Sequence, residues 1–224
     1  MAEVAVIVGG GPGISASCAR LFSNKGMKVA VAARNIGKSA LKKLIEDHSV
    51  ELITCDAADP ESVSSLFDTV KKGLGNPTLV VHNIDGRSAD VFRKRITEVD
   101  PALVQSVIAN STYSAFLVGQ QAARCLMEND IGDNGRGSII FTNASAAIKG
   151  YPRSGAFAAA CHGKAGLAQS MARELMPEGI HVANVPIDAA IGVPQEDGSR
   201  KHWGAGTTEN DNMADPDYIA EAYL

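Results

Sequence analysis

The chain has 224 residues, of which 45% are apolar and 21% are charged, and its formal net charge is -4. This length and composition predict a single globular domain with a sizeable core. The negative charge argues against nucleic acid as a partner, because proteins that bind nucleic acid present a basic face. No apolar run reaches the ~18 residues that a membrane span needs, and the N-terminus does not resemble a signal peptide.

Apolar runs alternate with amphipathic segments along most of the chain. Val4–Val8 predicts a first strand, residues 9–15 form a glycine-rich turn, and residues 16–25 predict a helix. The same patterns predict strands at 27–33, 50–55, 77–83, 137–143 and 180–186, and helices at 39–47, 60–72, 101–129 and 154–176. Near-continuous apolar strands that alternate with helices indicate a parallel sheet covered on both faces.

This alternation predicts an α/β fold of right-handed βαβ units. The expected architecture is a Rossmann-like doubly wound sheet with strand order 3-2-1-4-5-6. Residues 188–215 are rich in Gly, Asp, Asn and Thr and have little periodicity, which predicts a flexible substrate loop. A last helix is expected after Asp215-Pro216. These patterns together predict one dinucleotide-binding domain over residues 1–224.

The four cysteines favour a cytoplasmic location. They are widely spaced and contain no CxxC pair, which is typical of buried reduced thiols rather than of a disulfide framework or a metal site. These residues are Cys18, Cys55, Cys125 and Cys161.

The glycine-rich turn predicts a site for a dinucleotide pyrophosphate. Gly9, Gly11 and Gly13 follow a strand and precede a helix. Glycines let the backbone approach the phosphates, and a helix N-terminus offers unpaired N–H groups and a partial positive charge. Such a turn also serves as a plain connector, so the interpretation depends on the rest of the chain.

The ordered motifs resemble those of the short-chain dehydrogenase/reductase family along residues 2–224. The family pattern T-G-x-x-x-G-I-G corresponds to V-G-G-G-P-G-I-S at residues 8–15, and Asn83 corresponds to an asparagine of N-N-A-G. Lys164 matches the lysine of Y-x-x-x-K, whereas Ala160 stands where the family has its proton-donating tyrosine. The run at 172–183 resembles a divergent branch of the family that also lacks this tyrosine.

The resemblance implies a nicotinamide dinucleotide as cofactor, with NADP(H) preferred and NAD(H) possible. NAD-selective members carry a carboxylate after strand two, where this chain has Arg34, which can pair with a 2′-phosphate. A solvated loop charge is the alternative interpretation of Arg34. Ser15, in place of the last glycine, is expected to narrow the phosphate approach slightly. The implied cofactor residues are Gly9, Gly11, Gly13, Ile14, Arg34, Asn35, Asp56, Ala57, Asn83, Lys164 and Ile191.

The implied catalytic residues are Lys164, Ser145 and Asn110. Lys164 would hold the nicotinamide ribose, and Ser145 is the hydroxyl closest to the family's serine, with a strand-end turn as the alternative. Asn110 is preferred over Ser111 for the asparagine that kinks the long helix and holds a water molecule.

No neighbour replaces the missing tyrosine cleanly. Tyr151 lies on a local insertion and could fold over the site, while Cys161 and His162 are predicted to point to other faces of the helix. Beyond strand six, His202 and Trp203 are candidates to line the substrate pocket, with an exposed or lid-packing position as the favoured interpretation of both.

Two functions remain open from the sequence. One is an NADP(H)-dependent oxidoreductase that acts on a small carbonyl or alcohol through a degraded catalytic site. The other is a catalytically weak or inactive NADP-binding module, such as a sensor or a partner subunit, and a fold kept only for oligomer packing is a third possibility. The family's paired long helices imply a homodimer or homotetramer. The family's seventh strand has no counterpart in this chain, so a fragment of a longer protein is one interpretation.

Overall fold

A computed structural model describes residues 3–38, 41–43, 48–195, 197–202, 206–208 and 213–224. Its centre is a six-stranded parallel sheet in the order β3-β2-β1-β4-β5-β6, which confirms the predicted topology. The strands are β1 (Val4–Val8), β2 (Lys28–Ala33), β3 (Val50–Thr54), β4 (Leu79–His82), β5 (Gly137–Ala144) and β6 (Ile180–Ile187).

Helices cover both faces of this sheet. They are α1 (Ile14–Asn24), α2 (Pro60–Gly73), α3 (Pro101–Ile108), α4 (Ser114–Leu126), α5 (Gly155–Leu175) and α6 (Pro216–Glu221). Most of the helix predicted over 39–47 lies outside the described residues. Within this range the structure describes only residues 41–43, and these are helical. None of the helices in the described part of the chain is long and apolar enough to cross a membrane.

Two apolar layers explain why the strands appear as continuous apolar runs. Phe67 of α2, Leu126 of α4 and Phe141 of β5 are buried together on one face. On the other face, Phe22 of α1 and Tyr223 beyond α6 are buried against the sheet. Every residue of β1 is buried, because both faces of this central strand are covered.

The helix predicted over 101–129 is interrupted in its middle, where a kink was expected at Asn110. A π-helical turn, Ala109–Tyr113, separates α3 from α4. The Ser114 hydroxyl donates to the carbonyl oxygen of Asn110 at 2.6 Å, and the Thr112 hydroxyl donates to that of Ala160 in α5 at 2.8 Å. Hydroxyls that bond to nearby carbonyls compete with the helical ladder, so this polar stretch widens the turn.

The prediction of a loop over 188–215 is wrong for the part of this segment that the structure describes. It contains five short strands: β7 (Ala190–Ile191), β8 (Val193–Pro194), β9 (Arg200–His202), β10 (Gly206–Thr208) and β11 (Met213–Ala214). β8, β9 and β10 form a small antiparallel sheet, and β7 pairs with β11. Strands of two or three residues are too short for their periodicity to appear in a sequence. Residues 196, 203–205 and 209–212 lie outside the described residues. Trp203 is among them, so its interpretation stays a prediction.

Candidate active site

The glycine-rich turn after β1 leaves space and donors for an anion. Gly9 has φ +106°, and a Cβ there would lie 2.4 Å from the carbonyl oxygen of Asn83, so only glycine fits. A Cβ at Gly11 would meet no described atom within 4 Å. The Ala16 and Ser17 N–H groups donate to the carbonyl oxygens of Gly11 and Gly13, and no described side chain caps the N-terminus of α1, which leaves the N–H groups before Ala16 to offer to a phosphate.

Ser15 borders the cleft, and its hydroxyl is engaged in hydrogen bonds within the protein. It donates a hydrogen bond to the carbonyl oxygen of Gly9 at 2.8 Å. It also accepts one from the side-chain amide of Asn83 at 2.7 Å. The hydroxyl therefore ties the turn to the end of β4, and the expected narrowing of the phosphate approach stays a prediction.

A cleft of about 910 Å³ opens at the carboxyl ends of the strands. This volume lies at the upper end of the range for small-molecule and cofactor sites. Except for Lys164, all predicted cofactor residues line it: Gly9, Gly11, Gly13, Ile14, Arg34, Asn35, Asp56, Ala57, Asn83 and Ile191. The residues present therefore fit a dinucleotide, with the pyrophosphate at the glycine-rich turn.

Two cations lie at one end of this cleft. Arg34 and Lys38 are both exposed, and neither forms an ion pair with another described residue. The nearby Asn35 side chain accepts a hydrogen bond from the Gly37 N–H at 2.9 Å, which fixes the turn that carries them. Asp56 is tied to its own loop by a 3.0 Å bond from the Ala58 N–H. Lys38 was not predicted from the sequence, although its position only four residues after Arg34 could have indicated a second cation at this site.

The side chain of Lys164 does not face the cleft, where the sequence predicted it as a cofactor residue. Lys164 is only 1% exposed. The ammonium group donates instead to the carbonyl oxygens of Ile84 and Thr142, and both of those residues line the cleft. Desolvation lowers the pKa of Lys164 to about 8, against smaller opposing effects of Cys161 and Asp85. Lys164 therefore supports the wall of the cleft from behind.

Ala160, which the sequence motif predicted at the position of the family's tyrosine, lies in an apolar cluster. It is fully buried with Val91 and Val107, and Val99 and Leu103 pack against the same cluster. Val91 and Val99 belong to the segment between β4 and α3, so this segment closes over position 160. The side chains of these apolar neighbours fill the space around Ala160.

An ion pair lies on the floor of the cleft. Arg87 contacts Asp85 through Nη2 at 2.7 Å and Nε at 2.8 Å, and its guanidinium stacks 4.5 Å from the ring centroid of Phe157. His202 of β9 also lines the cleft, contrary to its interpretation as an exposed or lid residue. Desolvation lowers the pKa of His202, and Arg87 adds to this effect. No sequence signal pointed to this cluster, because β9 is too short to show a pattern.

The two candidates for the helix asparagine occupy different environments. Asn110 lines the cleft, and its amide donates to the carbonyl oxygen of Ser106 at 2.8 Å. Ser111 is fully buried, and its hydroxyl has no partner among the described residues. Both lie in the π-helical turn, where the sequence reasoning expected a kink.

The predicted serine lies at the edge of the site. Ser145 opens a 3₁₀ turn after β5 and does not itself line the cleft, whereas the preceding Ala144 does. Tyr151 donates a hydrogen bond to the Ser145 hydroxyl oxygen at 3.1 Å. His162 is exposed, with Nδ1 3.0 Å from the Ala158 carbonyl oxygen. Burial raises the pKa of the Cys161 thiol to about 11. Of the three replacements considered for the tyrosine, Tyr151 is the one that contacts Ser145.

Known proteins resemble this chain along nearly its whole length. The family model described as enoyl-(acyl carrier protein) reductase matches residues 9–224. The 3-oxoacyl-[acyl-carrier-protein] reductase MabA of Mycobacterium tuberculosis is 32% identical over 180 residues, which cover 80% of this chain and 66% of MabA.

Solved structures agree with this relationship. A short-chain dehydrogenase from Rhodopseudomonas palustris has a TM-score of 0.76 and 28% identity, with 99% of this chain and 89% of that chain covered. A single-site variant of actinorhodin polyketide ketoreductase with NADPH has a TM-score of 0.80 and 22% identity, with 100% and 90% covered. The sheet order, the glycine-rich turn and these matches agree, and the chain belongs to the short-chain dehydrogenase/reductase family, whose members use NAD(P)H.

Proposed function

We propose that the protein is an NADP(H)-dependent oxidoreductase that acts on a small carbonyl or alcohol and belongs to a divergent branch lacking the family's tyrosine. The observation that carries the cofactor assignment is the placement of Arg34 and Lys38 on the same cleft as the glycine-rich turn. A cationic pair without a described carboxylate partner attracts a 2′-phosphate. The NADPH in the ketoreductase neighbour supports the same choice.

Different residues of the chain would serve cofactor binding at one end of the cleft and the reaction at the other. N–H groups at the turn and at the start of α1 would bind the pyrophosphate, and Arg34 and Lys38 the 2′-phosphate. When bound, the cofactor supplies or accepts the hydride. Lys164 donates to the carbonyl oxygens of Ile84 and Thr142, and so fixes the wall that would support the nicotinamide end. Ser145 would bind the carbonyl oxygen of the substrate.

A comparison of NADPH with NADH tests the cofactor assignment. We expect the wild type to bind NADPH about 10- to 100-fold more tightly, because hydrogen bonds to charged groups contribute about 1.5–3 kcal/mol. The variant Arg34→Asp should remove this preference, since it repels the 2′-phosphate. Arg124→Asp, an exposed change in α4, is the matched control and should keep it. Isothermal titration calorimetry measures the affinities of each protein for the two cofactors, and equal affinities in the wild type would reject the assignment.

The second candidate function is an NADP-binding module without a reaction. The closed apolar cluster around Ala160 favours it, since a missing general acid typically costs about 10²–10⁴-fold in rate. The two candidates differ in NADPH consumption over a panel of carbonyls that includes a β-keto ester, a diketone and an aldehyde. Turnover of any of these above the level of Lys164→Ala favours the enzyme. Binding of NADPH with no turnover on the panel favours the module.

A further inference from the structure

A tyrosine from outside the family's helix position reaches the edge of the active site. β5 ends at Ala144, and the loop of residues 148–154 then leads to α5. The hydroxyl of Tyr151, in this loop, lies 3.1 Å from the Oγ atom of Ser145 and 3.4 Å from Oδ1 of Asp188. The loop thus folds back toward the end of β5 and brings a phenol to the serine predicted to bind substrate.

A lysine accompanies this tyrosine. The Nζ atom of Lys149 lies 5.3 Å from the ring centroid of Tyr151 and 3.9 Å from Oδ2 of Asp188. A hydrogen bond from Ser145 lowers the pKa of Asp188, and Lys149 and Tyr151 contribute to the same direction. Ser145, Lys149, Tyr151 and Asp188 therefore form one polar cluster, in which the carboxylate balances the ammonium group.

The backbone places this cluster at the rim of the cleft. Ala144 and Ile187 are paired across β5 and β6, and both line the cleft. Ser145 directly follows the first of them, Asp188 directly follows the second, and Ala189 also lines the cleft. The four residues of the cluster do not themselves line the cleft, but their chain neighbours do, so the hydroxyl of Tyr151 lies beside the ends of β5 and β6 at its rim. The residue remains 39% exposed to water.

We propose that Tyr151 donates the proton to the substrate oxygen during carbonyl reduction, and so takes the role that Ala160 cannot perform. Ser145 orients the phenol through their hydrogen bond, and Lys149 stabilises the phenolate that the reaction leaves. This inference rests on the proposed reductase function. It assigns a serine, a tyrosine and a lysine to one site, although the tyrosine and Lys149 come from the loop of residues 148–154 rather than from α5.

The step balances within the named groups. The carbonyl carbon accepts a hydride from the reduced nicotinamide dinucleotide, the π electrons of the C=O bond move to the oxygen, and the oxygen takes the proton of Tyr151. The Tyr151 phenolate then recovers a proton from water, which its exposed side reaches directly. Oxidation of an alcohol runs through the same atoms in reverse.

The variant Tyr151→Phe tests the proposal, with ethyl acetoacetate and 2,3-butanedione as the carbonyl probes. We expect kcat to fall about 10²–10⁴-fold, with KM and NADPH affinity nearly unchanged, because the lost group acts on the transferred proton. Lys149→Met should lower kcat by a smaller factor. Tyr218→Phe, at a 73% exposed position in α6, is the matched control and should keep wild-type rates. Equal kcat values in Tyr151→Phe and the wild type would overturn the proposal while leaving the reductase function intact.

A second measurement is independent of turnover. Tetranitromethane nitrates exposed tyrosine rings, and mass spectrometry of peptides reports each site separately. With NADP⁺ present and ethyl 3-hydroxybutyrate added as the alcohol, nitration of Tyr151 should slow several-fold while that of Tyr218 stays constant. Unchanged nitration of Tyr151 at saturating alcohol would overturn the proposal, because the phenol would not face the bound substrate. A wild type that neither binds NADPH nor reduces the probes would reject the reductase function itself, and this inference with it.

Discussion

Ser15 shows how one residue exchange can keep a cofactor turn intact. The family's glycine is replaced, yet the hydroxyl lies between the Gly9 carbonyl oxygen and the Asn83 amide at 2.8 and 2.7 Å. Both partners belong to segments that border the cleft. The serine thus joins the glycine-rich turn to the end of β4 by side-chain bonds that a glycine cannot make.

We expect Ser15→Ala to lower the free energy of unfolding by about 1 kcal/mol, since it removes two hydrogen bonds to partly buried polar groups. Urea denaturation measures this value. Ser23→Ala, in the same helix and partly exposed, is the control and should change stability by less than about 0.5 kcal/mol. If Ser15 obstructed the phosphates instead, Ser15→Ala would bind NADPH more tightly at unchanged stability, and that result would contradict the hydrogen-bonded arrangement.

The sequence predicted which residues meet at the cleft but not how their side chains point. Glycine spacing and strand ends place Arg34, Asp56 and Asn83 on one edge, because carboxyl ends of parallel strands converge there. The orientation of Ser15 and the withdrawal of Lys164 to two backbone carbonyls depend on packing partners that are distant in the chain. A periodic pattern carries no information about such contacts.

Helix α5 carries position 160 and Lys164 on its buried side, and the segment between β4 and α3 closes over it. Ala160 is fully buried beside Val91 and Val107, and its carbonyl oxygen accepts the Thr112 hydroxyl at 2.8 Å. A residue buried in this way is part of the core. The surrounding side chains therefore fill the space at position 160, and we expect that a tyrosine introduced there would not by itself create a catalytic site.

Ala160→Tyr is expected to destabilise the protein by about 1–3 kcal/mol, because overpacking a filled cluster forces its neighbours apart. It should not raise carbonyl turnover above the wild-type level. Ala159→Tyr, on the exposed side of the same helix, is the matched control and should leave stability nearly unchanged. Thermal unfolding and NADPH consumption measure the two effects. A stable Ala160→Tyr variant with increased turnover would mean that the cluster opens readily.

At the level of elements, the regular parts were predictable and the irregular parts were not. The six strands and α2 follow from local patterns. α2 begins at Pro60, and the Asp59 carboxylate accepts hydrogen bonds from the Glu61 and Ser62 N–H groups. The π-helical turn and the short strands β7–β11 depend on hydroxyl contacts and on distant pairing. Those interactions leave no periodic trace in the sequence.

On the surface of the molecule, several large apolar side chains are exposed along the segment from α3 to α4. Ile108, Tyr113 and Phe116 are 40%, 44% and 45% exposed. A single exposed apolar residue is common, but three within nine residues indicate a surface for another protein. We propose that a second copy of the chain covers them, in agreement with the homodimer or homotetramer expected from the family's long helices.

Phe116→Asp tests this assembly, because a carboxylate buried without a partner is costly and would oppose association. We expect light scattering coupled to size-exclusion chromatography to give two or four chains per particle for the wild type, and fewer for the variant. Tyr218→Asp replaces an exposed aromatic residue of α6 by the same charge and should leave the mass unchanged. The cofactor cleft lies at the carboxyl ends of the strands and Phe116 does not line it, so NADPH affinity should survive in the dissociated variant. A wild type that elutes as a monomer, or a Phe116→Asp variant with the wild-type mass, would place the interface elsewhere.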